Sequence, residues 1–221
     1  MYDSGLLEEL PSMSQPRYSH GSLLMAPNGV MIAGGRTYGK EPYCILDSVE
    51  FFDFNKHHWR VLPVQVQIIQ PLNRARCQFE FCLYEARAYV FGGLTDEGLS
   101  TNSIEYFDNN RYSWMEFRYK LPYPMDSFRV IPTDDNHKVL LVGGRQDHEN
   151  SSRVVDFSLE DGSYIYHSRL IAPRVNPKVL QLEGDYILVG GGVSKTLAGI
   201  IFLFRKVRQS SAKMDKRREI Q

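Results

Sequence analysis

The stretch of residues 186–196, YILVGGGVSKT, places three glycines near a lysine and a threonine, a combination that can bind phosphate. A phosphate-binding P-loop needs the spacing Gly-x-x-x-x-Gly-Lys-Ser/Thr, so that backbone N–H groups surround the phosphates. Counting back from Lys195, the two required glycine positions hold Val189 and Ser194. The following residues, LAGIIFLF at 197–204, also lack the polar face of the helix that such a loop begins. The stretch is therefore not predicted to bind a nucleotide.

Two histidine-containing clusters and a pair of cysteines are the other groups whose types could bind a metal or do catalysis. His57-His58 occupies a short turn between apolar runs, and Asp147-His148-Glu149 is a polar run typical of a solvated loop. Cys77 and Cys82 are five apart, so on one strand they point to opposite faces and do not share a metal. No Ser or Cys nucleophile is paired with a base. We therefore predict no catalytic residue, no metal, no cofactor and no enzymatic activity.

The glycine pair of the opening stretch recurs along the chain. The phrases VMIAGG, AYVFGG, VLLVGG and YILVGG end at residues 35, 93, 144 and 191, in steps of 58, 51 and 47 residues. Self-similarity at such a period indicates a repeat architecture. The opening stretch is thus the fourth copy of a repeat. The glycine pairs of all four copies are predicted to be structural: Gly34, Gly35, Gly92, Gly93, Gly143, Gly144, Gly190 and Gly191.

Each copy contains several short apolar runs bounded by turn residues. An apolar run such as SLLMA (22–26) precedes the glycine run, and a Glu-containing run such as SVEFFDF (48–54) follows it. A short turn then leads to a tryptophan, with Asp53 and Trp59 six apart, as are Asp108 and Trp114. Short strands with tight turns predict antiparallel sheet, and four strands per repeat predict a propeller blade. The fold class is therefore all-β.

The combination of these elements resembles the kelch repeat. The residues that carry the resemblance are PRYSH (16–20), the glycine doublets, the Glu-x-x-Asp strands and the spaced tryptophans, and together they cover residues 7–204. The resemblance implies a β-propeller in which Trp59 and Trp114 are buried between blades. Copy three differs from copies one and two, because Tyr164 or Tyr166 takes the place of the tryptophan. Asp156 is expected to take the place of Asp53 and Asp108 before the last turn. Copy four has only Pro173-Arg174, the glycine doublet and an apolar third strand.

The predicted organisation is an orphan outer strand at 1–11, four repeats at 12–64, 65–122, 123–170 and 171–205, and a basic tail at 206–221. The orphan strand aligns Leu7–Pro11 with Trp59–Pro63, while the fourth copy lacks its last strand. Three arrangements remain open: an open arc, which we favour because kelch rings usually have six or seven blades, a closed four-blade ring, and half of an intermolecular ring. An open arc predicts self-association through the unpaired edges, because GIIFLF (199–204) would be a poor exposed edge.

Polar residues that vary between copies are the candidate binding residues, whereas recurrent ones are expected to be structural. Arg17, Arg74 and Arg174 recur before the first strand, so we expect structural ion pairs there. Arg36 and Arg145 directly follow the glycine doublet in only two copies. By resemblance to substrate-binding kelch domains, the predicted partner-binding residues on one propeller face are Arg36, Arg76, Arg145, Ser19 and Asn176. The positive charge of Arg36, Arg76 and Arg145 predicts an acidic or phosphorylated protein segment as the partner.

Composition sets the remaining expectations. Lys plus Arg and Asp plus Glu both number 26, so no net charge points to nucleic acid or to a membrane surface. Three cysteines and an acidic start predict a cytoplasmic protein, with a nuclear location as the alternative. The resemblance implies a protein-binding scaffold or a substrate receptor of the ubiquitin-ligase adaptor type. The alternatives are a kelch-type oxidase or sugar epimerase, and a truncated paralogue without independent function.

Overall fold

Short apolar runs separated by turn residues form a series of antiparallel sheets in the computed structural model. It describes residues 9–25, 27–38, 44–60, 70–133, 137–182, 186–194 and 202–205. Within these residues the regular structure consists of strands alone. The described residues form no helix with the length and apolarity of a membrane span.

The first blade is a four-stranded antiparallel sheet with the strands in chain order. Its strands are β1 (Gly21–Met25), β2 (Gly29–Ala33), β5 (Val49–Asp53) and β6 (His58–Arg60), and a two-stranded hairpin, β3 (Arg36–Thr37) with β4 (Cys44–Ile45), is inserted between β2 and β5.

The second and third blades repeat this order. In blade 2 the strands are β8 (Glu80–Tyr84), β9 (Arg87–Phe91), β11 (Ile104–Asp108) and β12 (Ser113–Glu116), and the short strands β7 (Arg76–Cys77) and β10 (Leu94–Thr95) pair above them. In blade 3 they are β13 (Arg129–Pro132), β14 (Lys138–Val142), β17 (Arg153–Ser158) and β18 (Tyr164–Arg169), with the hairpin β15 (Arg145–Gln146) and β16 (Glu149–Asn150).

The fourth blade has three described strands, β19 (Lys178–Leu182), β20 (Tyr186–Gly190) and β21 (Phe202–Arg205). The apolar third strand predicted for this copy is present, since β21 pairs antiparallel with β20. Residues 199–201 of that strand, residues 1–8 of the predicted orphan strand 1–11 and the basic tail 206–221 lie outside the described residues, and residues 9–11 form no strand. The all-β prediction with four-stranded antiparallel blades is confirmed by blades 1 to 3.

The glycine doublets end the second strand of each blade and bring it against the next blade. Gly34 has φ +59°, and a Cβ there would lie 2.4 Å from the Arg76 carbonyl oxygen of blade 2. In the fourth copy the matching residues are Gly191 and Gly192, with φ +61° and +74°. The predicted doublet, Gly190-Gly191, is therefore one residue too early. Gly190 lies inside β20, opposite Lys178. The prediction was wrong because copy four has three consecutive glycines, and the apolar run before them does not show which two form the doublet.

The turn between the third and fourth strands is held by a side-chain oxygen that accepts backbone N–H groups. Asp53 Oδ1 accepts from the N–H of Asn55 at 2.8 Å, and Asp108 accepts in the same way from Asn110. In blade 3 the hydroxyl of Ser158 takes this place and accepts from the N–H of Glu160. Asp156, predicted at this position, lies two residues earlier and instead faces His167. The turn has the same length in all three blades, and Ser158 follows Arg153 by five residues as Asp53 follows Ser48, so copy three has a serine at this position.

The apolar core lies in wedges between neighbouring blades. Trp114 is 3% exposed and packs with Met31 and Val49 of blade 1, as well as with Phe107 of its own blade. Trp59 holds the matching position in blade 1 but is only half-buried, since the described part of the chain places no blade before it. Its indole rests against Phe52, and its Nε1–H donates to the Pro11 carbonyl at 2.6 Å. The prediction that both tryptophans are buried between blades therefore fails for Trp59.

Candidate functional site

The loops that follow the glycine doublets lie on one face of the blades, which we call the loop face. It carries residues 18–20, 36–38, 77–78, 94–100, 126–127, 145–152 and 175–176. The opposite face carries the turns with Asp53, Asp108 and Ser158. Loops held by a rigid scaffold are the usual place for recognition residues, so the loop face is where the predicted binding residues need to be located.

A row of backbone hydrogen bonds crosses the loop face from blade to blade. Ser19, Gln78, Ser127 and Asn176 all have positive φ, between 52° and 55°. The N–H of Gln78 donates to the Ser19 carbonyl at 3.0 Å, Ser127 to Gln78 at 2.7 Å, and Asn176 to Ser127 at 2.7 Å. Because each bond joins consecutive blades, this inner row marks the axis side of the face. Ser19 and Asn176, both predicted binding residues, are exposed at its two ends.

Arg36 extends from blade 1 toward the start of blade 2. Its Nε–H donates to the Cys77 sulfur at 3.0 Å, and its side chain is half-buried. Burial raises the pKa of the Cys77 thiol, so the sulfur is held as a neutral acceptor rather than as a reactive thiolate.

Arg145 approaches the same place from blade 3. Its guanidinium contacts Asp126 Oδ1 at 2.9 Å and donates to the Gln78 side-chain oxygen at 3.3 Å. Asp126 is fully buried, whereas the Arg145 side chain is 31% exposed. Arg36 and Arg145 thus converge from two blades on the adjacent residues Cys77 and Gln78, so these two predicted binding residues are brought together.

Arg76, the remaining predicted contact, is buried and does not reach the loop face. Its guanidinium binds Glu105 Oε1 at 2.5 Å, the Gly92 carbonyl at 2.8 Å and the Ser103 hydroxyl at 2.9 Å. Arg17 makes the same set of contacts in blade 1, with Glu50 as its carboxylate partner at 2.5 Å. Arg76 is therefore the structural arginine of copy two, and Arg74, predicted for that role, is exposed.

The error is a shift of two residues in copy two, where the spacing to the glycine doublet does not choose between the two arginines. Arg17 lies 17 residues before Gly34, Arg76 lies 16 before Gly92, and Arg174 lies 17 before Gly191. Arg174 is also fully buried and donates to the Gly191 carbonyl at 2.7 Å. Arg76 and Arg74 lie 16 and 18 residues before Gly92, equally far from the spacing of 17 in the other two copies. Burial, and not this spacing, assigns Arg76 to the position of Arg17 and Arg174 and places Gln78 beside Ser19 and Asn176.

Blade 3 replaces this ion pair with apolar residues. Met125 stands where Arg76 stands, because the Gly93 N–H donates to its carbonyl as the Gly35 N–H does to that of Arg76. Val155 stands at the Glu105 position of the third strand. Both are buried, so blade 3 has two apolar residues at the positions where blade 2 has a buried ion pair.

The clusters considered for metal binding lie apart from this site. His57 is exposed in the β5–β6 turn on the opposite face, and His58 is exposed at the start of β6. Asp147 and His148 form the two-residue turn of the β15–β16 hairpin, with φ +48° and +66°. Among the described residues no group of three His, Cys, Asp or Glu side chains is arranged to hold a metal ion.

Comparison with known proteins agrees with this architecture. A family model described as the KLHDC2/KLHL20/DRC7 Kelch-repeats domain matches residues 19–217. Kelch-like protein 40 of Xenopus tropicalis is 28% identical over 135 residues, which is 61% of this chain and 20% of that protein. Kelch-like protein 40 of Xenopus laevis is 28% identical over 170 residues, 73% of this chain and 25% of that protein. The chain thus spans a quarter or less of the length of these relatives.

Proposed function

The chain belongs to the kelch-repeat family, and from this premise we propose that it is a protein-recognition module that holds its partner on the loop face. Kelch repeats support a protein-interaction scaffold in general. The observation that carries the choice of face is the convergence of Arg36 and Arg145 on Cys77 and Gln78, between the exposed ends of the inner row.

The proposed partner presents an acidic or phosphorylated segment. A guanidinium carries five N–H donors and binds carboxylate or phosphate in a bidentate way. Arg36 and Arg145 are held in fixed positions by their protein contacts while remaining partly exposed. Such pre-organised donors lose little entropy when an anion binds.

We place this recognition in the cytoplasm, as the substrate-receptor or scaffold part of a larger assembly. The three thiols are free, as expected in a reducing compartment. A receptor of the ubiquitin-ligase adaptor type fits a module that supplies recognition without chemistry of its own. Proteomic identification of proteins that co-purify with the full chain tests this part, and recovery of ligase subunits is the expected result.

We also propose that copies of the chain associate with each other through the end blades, blade 1 and blade 4. Leu24 of blade 1 is 57% exposed and Leu180 of blade 4 is 58% exposed. Among the described residues, no backbone bond returns from Asn176 to Ser19, so the inner row is open between blades 4 and 1. Sedimentation of the purified chain is expected to show a concentration-dependent dimer. A monomer at all concentrations would contradict self-association and leave the loop-face proposal unaffected.

The test of the loop face compares two sets of variants in binding to the co-purified partner. Arg36→Gln removes one cation, and Arg145→Gln combined with Asp126→Asn removes the second without leaving a buried carboxylate unpaired. Both are expected to stay folded and to weaken binding about ten-fold or more, the effect of losing a charge-assisted bond. Arg87→Gln, an exposed arginine on the opposite face, is the matched control. Unchanged binding in both loop-face variants would show that the partner binds elsewhere.

A further inference from the structure

Two arginines face each other directly across the outer strands of blade 3. Arg153 of β17 is the register partner of Arg169 of β18 in an antiparallel pair. Directly opposed residues project from the same face of a sheet with their Cβ atoms about 5 Å apart, and like charges in this position are destabilising. Such a pair is therefore a site where a bound anion would remove a repulsion.

The groups that hold Arg153 in place are neutral. Its Nη1 donates to the Gln146 side-chain oxygen at 2.6 Å, and its guanidinium carbon lies 5.3 Å from the ring centre of Tyr123 and 5.6 Å from that of Tyr166. In the part of the chain that the structure describes, no carboxylate lies within 4 Å of Arg153 or Arg169. The positive charge is thus positioned but not neutralised.

The repeat itself does not require an arginine at this position. The Gly143 N–H donates to the Arg153 carbonyl, as the Gly34 and Gly92 N–H groups do to those of Ser48 and Ser103. The serines of blades 1 and 2 bind the buried arginine of their own blade. Blade 3 has Met125 instead of that arginine, so Arg153 serves no blade-building contact of this kind.

Two clefts meet at this pair of arginines. A cleft of about 300 Å³ on the loop side is lined by Arg153 and Arg169 together with the carboxylates of Asp147 and Glu149. A cleft of about 410 Å³ on the outer side is lined by Arg153, Tyr166, His167, Ser168 and Arg169. The outer cleft suits an anion, because no carboxylate lines it and the nearby Asp156 is already paired with His167. The loop-side cleft does not, because Asp147 and Glu149 would repel an anion there.

The outer cleft adjoins an open sheet edge. β18 is the last strand of its sheet, and three consecutive large residues on it, Tyr164, Ile165 and Tyr166, are 46%, 49% and 56% exposed. The Ser158 N–H donates to the Ser163 carbonyl, so by alternation the backbone groups of Tyr164 and Tyr166 point away from the sheet. An irregularity between Val154 and Val155 ends this regular stretch at His167, next to the cleft.

We propose that the outer edge of blade 3 binds an extended peptide that adds a strand beside Tyr164–Tyr166 and places a carboxylate or phosphate group between Arg153 and Arg169. Main-chain bonds to an exposed edge supply affinity in this mode of recognition, and side-chain pockets supply specificity. The tyrosines give the peptide an apolar surface. This site is separate from the loop face and does not depend on the function proposed there.

The experiment measures fluorescence anisotropy of labelled ten-residue peptides with the full chain. One peptide alternates valine and glutamate, a second carries one phosphoserine in place of a glutamate, and a third has glutamine throughout in place of glutamate. We expect the two anionic peptides to bind and the glutamine peptide to bind at least ten-fold more weakly. The stronger of the two anionic peptides then identifies carboxylate or phosphate as the preferred group. A glutamate peptide with N-methyl groups on alternate amides is expected to lose binding, since it lacks the main-chain donors.

Variants of the chain separate this site from a general effect of charge. Arg153→Gln and Arg169→Gln are each expected to weaken binding about ten-fold or more. Arg87→Gln, which alters an exposed arginine over the Tyr106 ring of blade 2, is the matched control and should bind as the parent does. Arg169→Gln should also unfold at a temperature no lower than the parent, because it relieves the repulsion. Equal binding of the anionic and glutamine peptides, or unchanged binding in both cleft variants, would overturn the proposal.

Discussion

At the scale of single residues, the same side-chain type has opposite roles depending on where the backbone places it. Arg76 is fully buried against Glu105, whereas Arg145 stays 31% exposed beside Asp126. A buried ion pair costs desolvation and depends on both partners being present. The chain itself contains the apolar alternative, since blade 3 carries Met125 and Val155 at the two matching positions.

This exchange leads to a prediction for the buried pair. Arg76→Ala is expected to destabilise the fold by about 3–5 kcal/mol, because it leaves the buried Glu105 carboxylate without a counter charge. The double variant Arg76→Met with Glu105→Val, copied from blade 3, should recover most of that loss. Denaturant unfolding monitored by tryptophan fluorescence measures both. A double variant as unstable as Arg76→Ala would contradict the equivalence of the two positions.

The two tryptophans are expected to differ in their contribution to stability. Trp114→Ala should cost about 3–5 kcal/mol, the range for a large aromatic buried in a core. Trp59→Ala should cost about 1–2 kcal/mol, since this side chain is half-buried and holds one hydrogen bond to Pro11. The same unfolding assay applies. A cost below about 1 kcal/mol for Trp114 would argue against the interface between blades 1 and 2.

The sequence predicts which kinds of residue have a structural role in a blade, but it predicts less well which of two neighbouring positions holds them. The positions of Trp114, Gly34 and Asp53 follow from types that recur at constant spacing in copies one and two. Arg76 and Gly190 were misassigned where neighbouring residues of the same type, Arg74 and Gly192, offered a second register. Burial decides such cases, and burial depends on contacts between blades that a single strand does not reveal.

At the scale of elements, the innermost strands of neighbouring blades are joined by a charged contact. Glu80 of β8 in blade 2 contacts Arg129 of β13 in blade 3 at 2.5 Å and accepts from the Val130 N–H at 3.2 Å. Arg129 Nε–H also donates to the Pro177 carbonyl at the start of blade 4. Burial raises the pKa of Glu80 to about 7, with the nearby Arg129 acting in the opposite direction.

This shifted carboxyl predicts a dependence of stability on pH. Since the folded-state pKa of Glu80 is raised from 4.5 to about 7, the folded protein binds one more proton than the unfolded chain between these pH values. Its contribution is therefore complete below pH 4.5 and lost as the pH rises through about 7. The parent is expected to lose on the order of 3 kcal/mol relative to Glu80→Gln across this range. Denaturant unfolding of both proteins at several pH values measures the difference, and parallel curves would contradict the assignment.

At the scale of the whole molecule, the recurrence of the glycine pairs predicts a repeat architecture without exact strand bounds. Antiparallel blades of four strands follow from short apolar runs with tight turns, and their stacking follows from apolar faces that each blade cannot bury alone. The convergence of Arg36 and Arg145 could not be read in the same way, because it depends on the rotation between blades 1, 2 and 3. Nor did the sequence indicate the opposition of Arg153 and Arg169, which depends on the register of β17 with β18.

Hydrogen–deuterium exchange of the full chain with its co-purified partner tests most directly whether the loop face of the blades binds a protein. The predicted result is protection of backbone amides at 18–20, 36–38, 77–78 and 145–146 on complex formation, with the turns at 53–57 and 108–112 unchanged. Loss of this protection in the Arg36→Gln variant would assign it to the proposed contact. Protection confined to the 53–57 and 108–112 turns would contradict binding on the loop face.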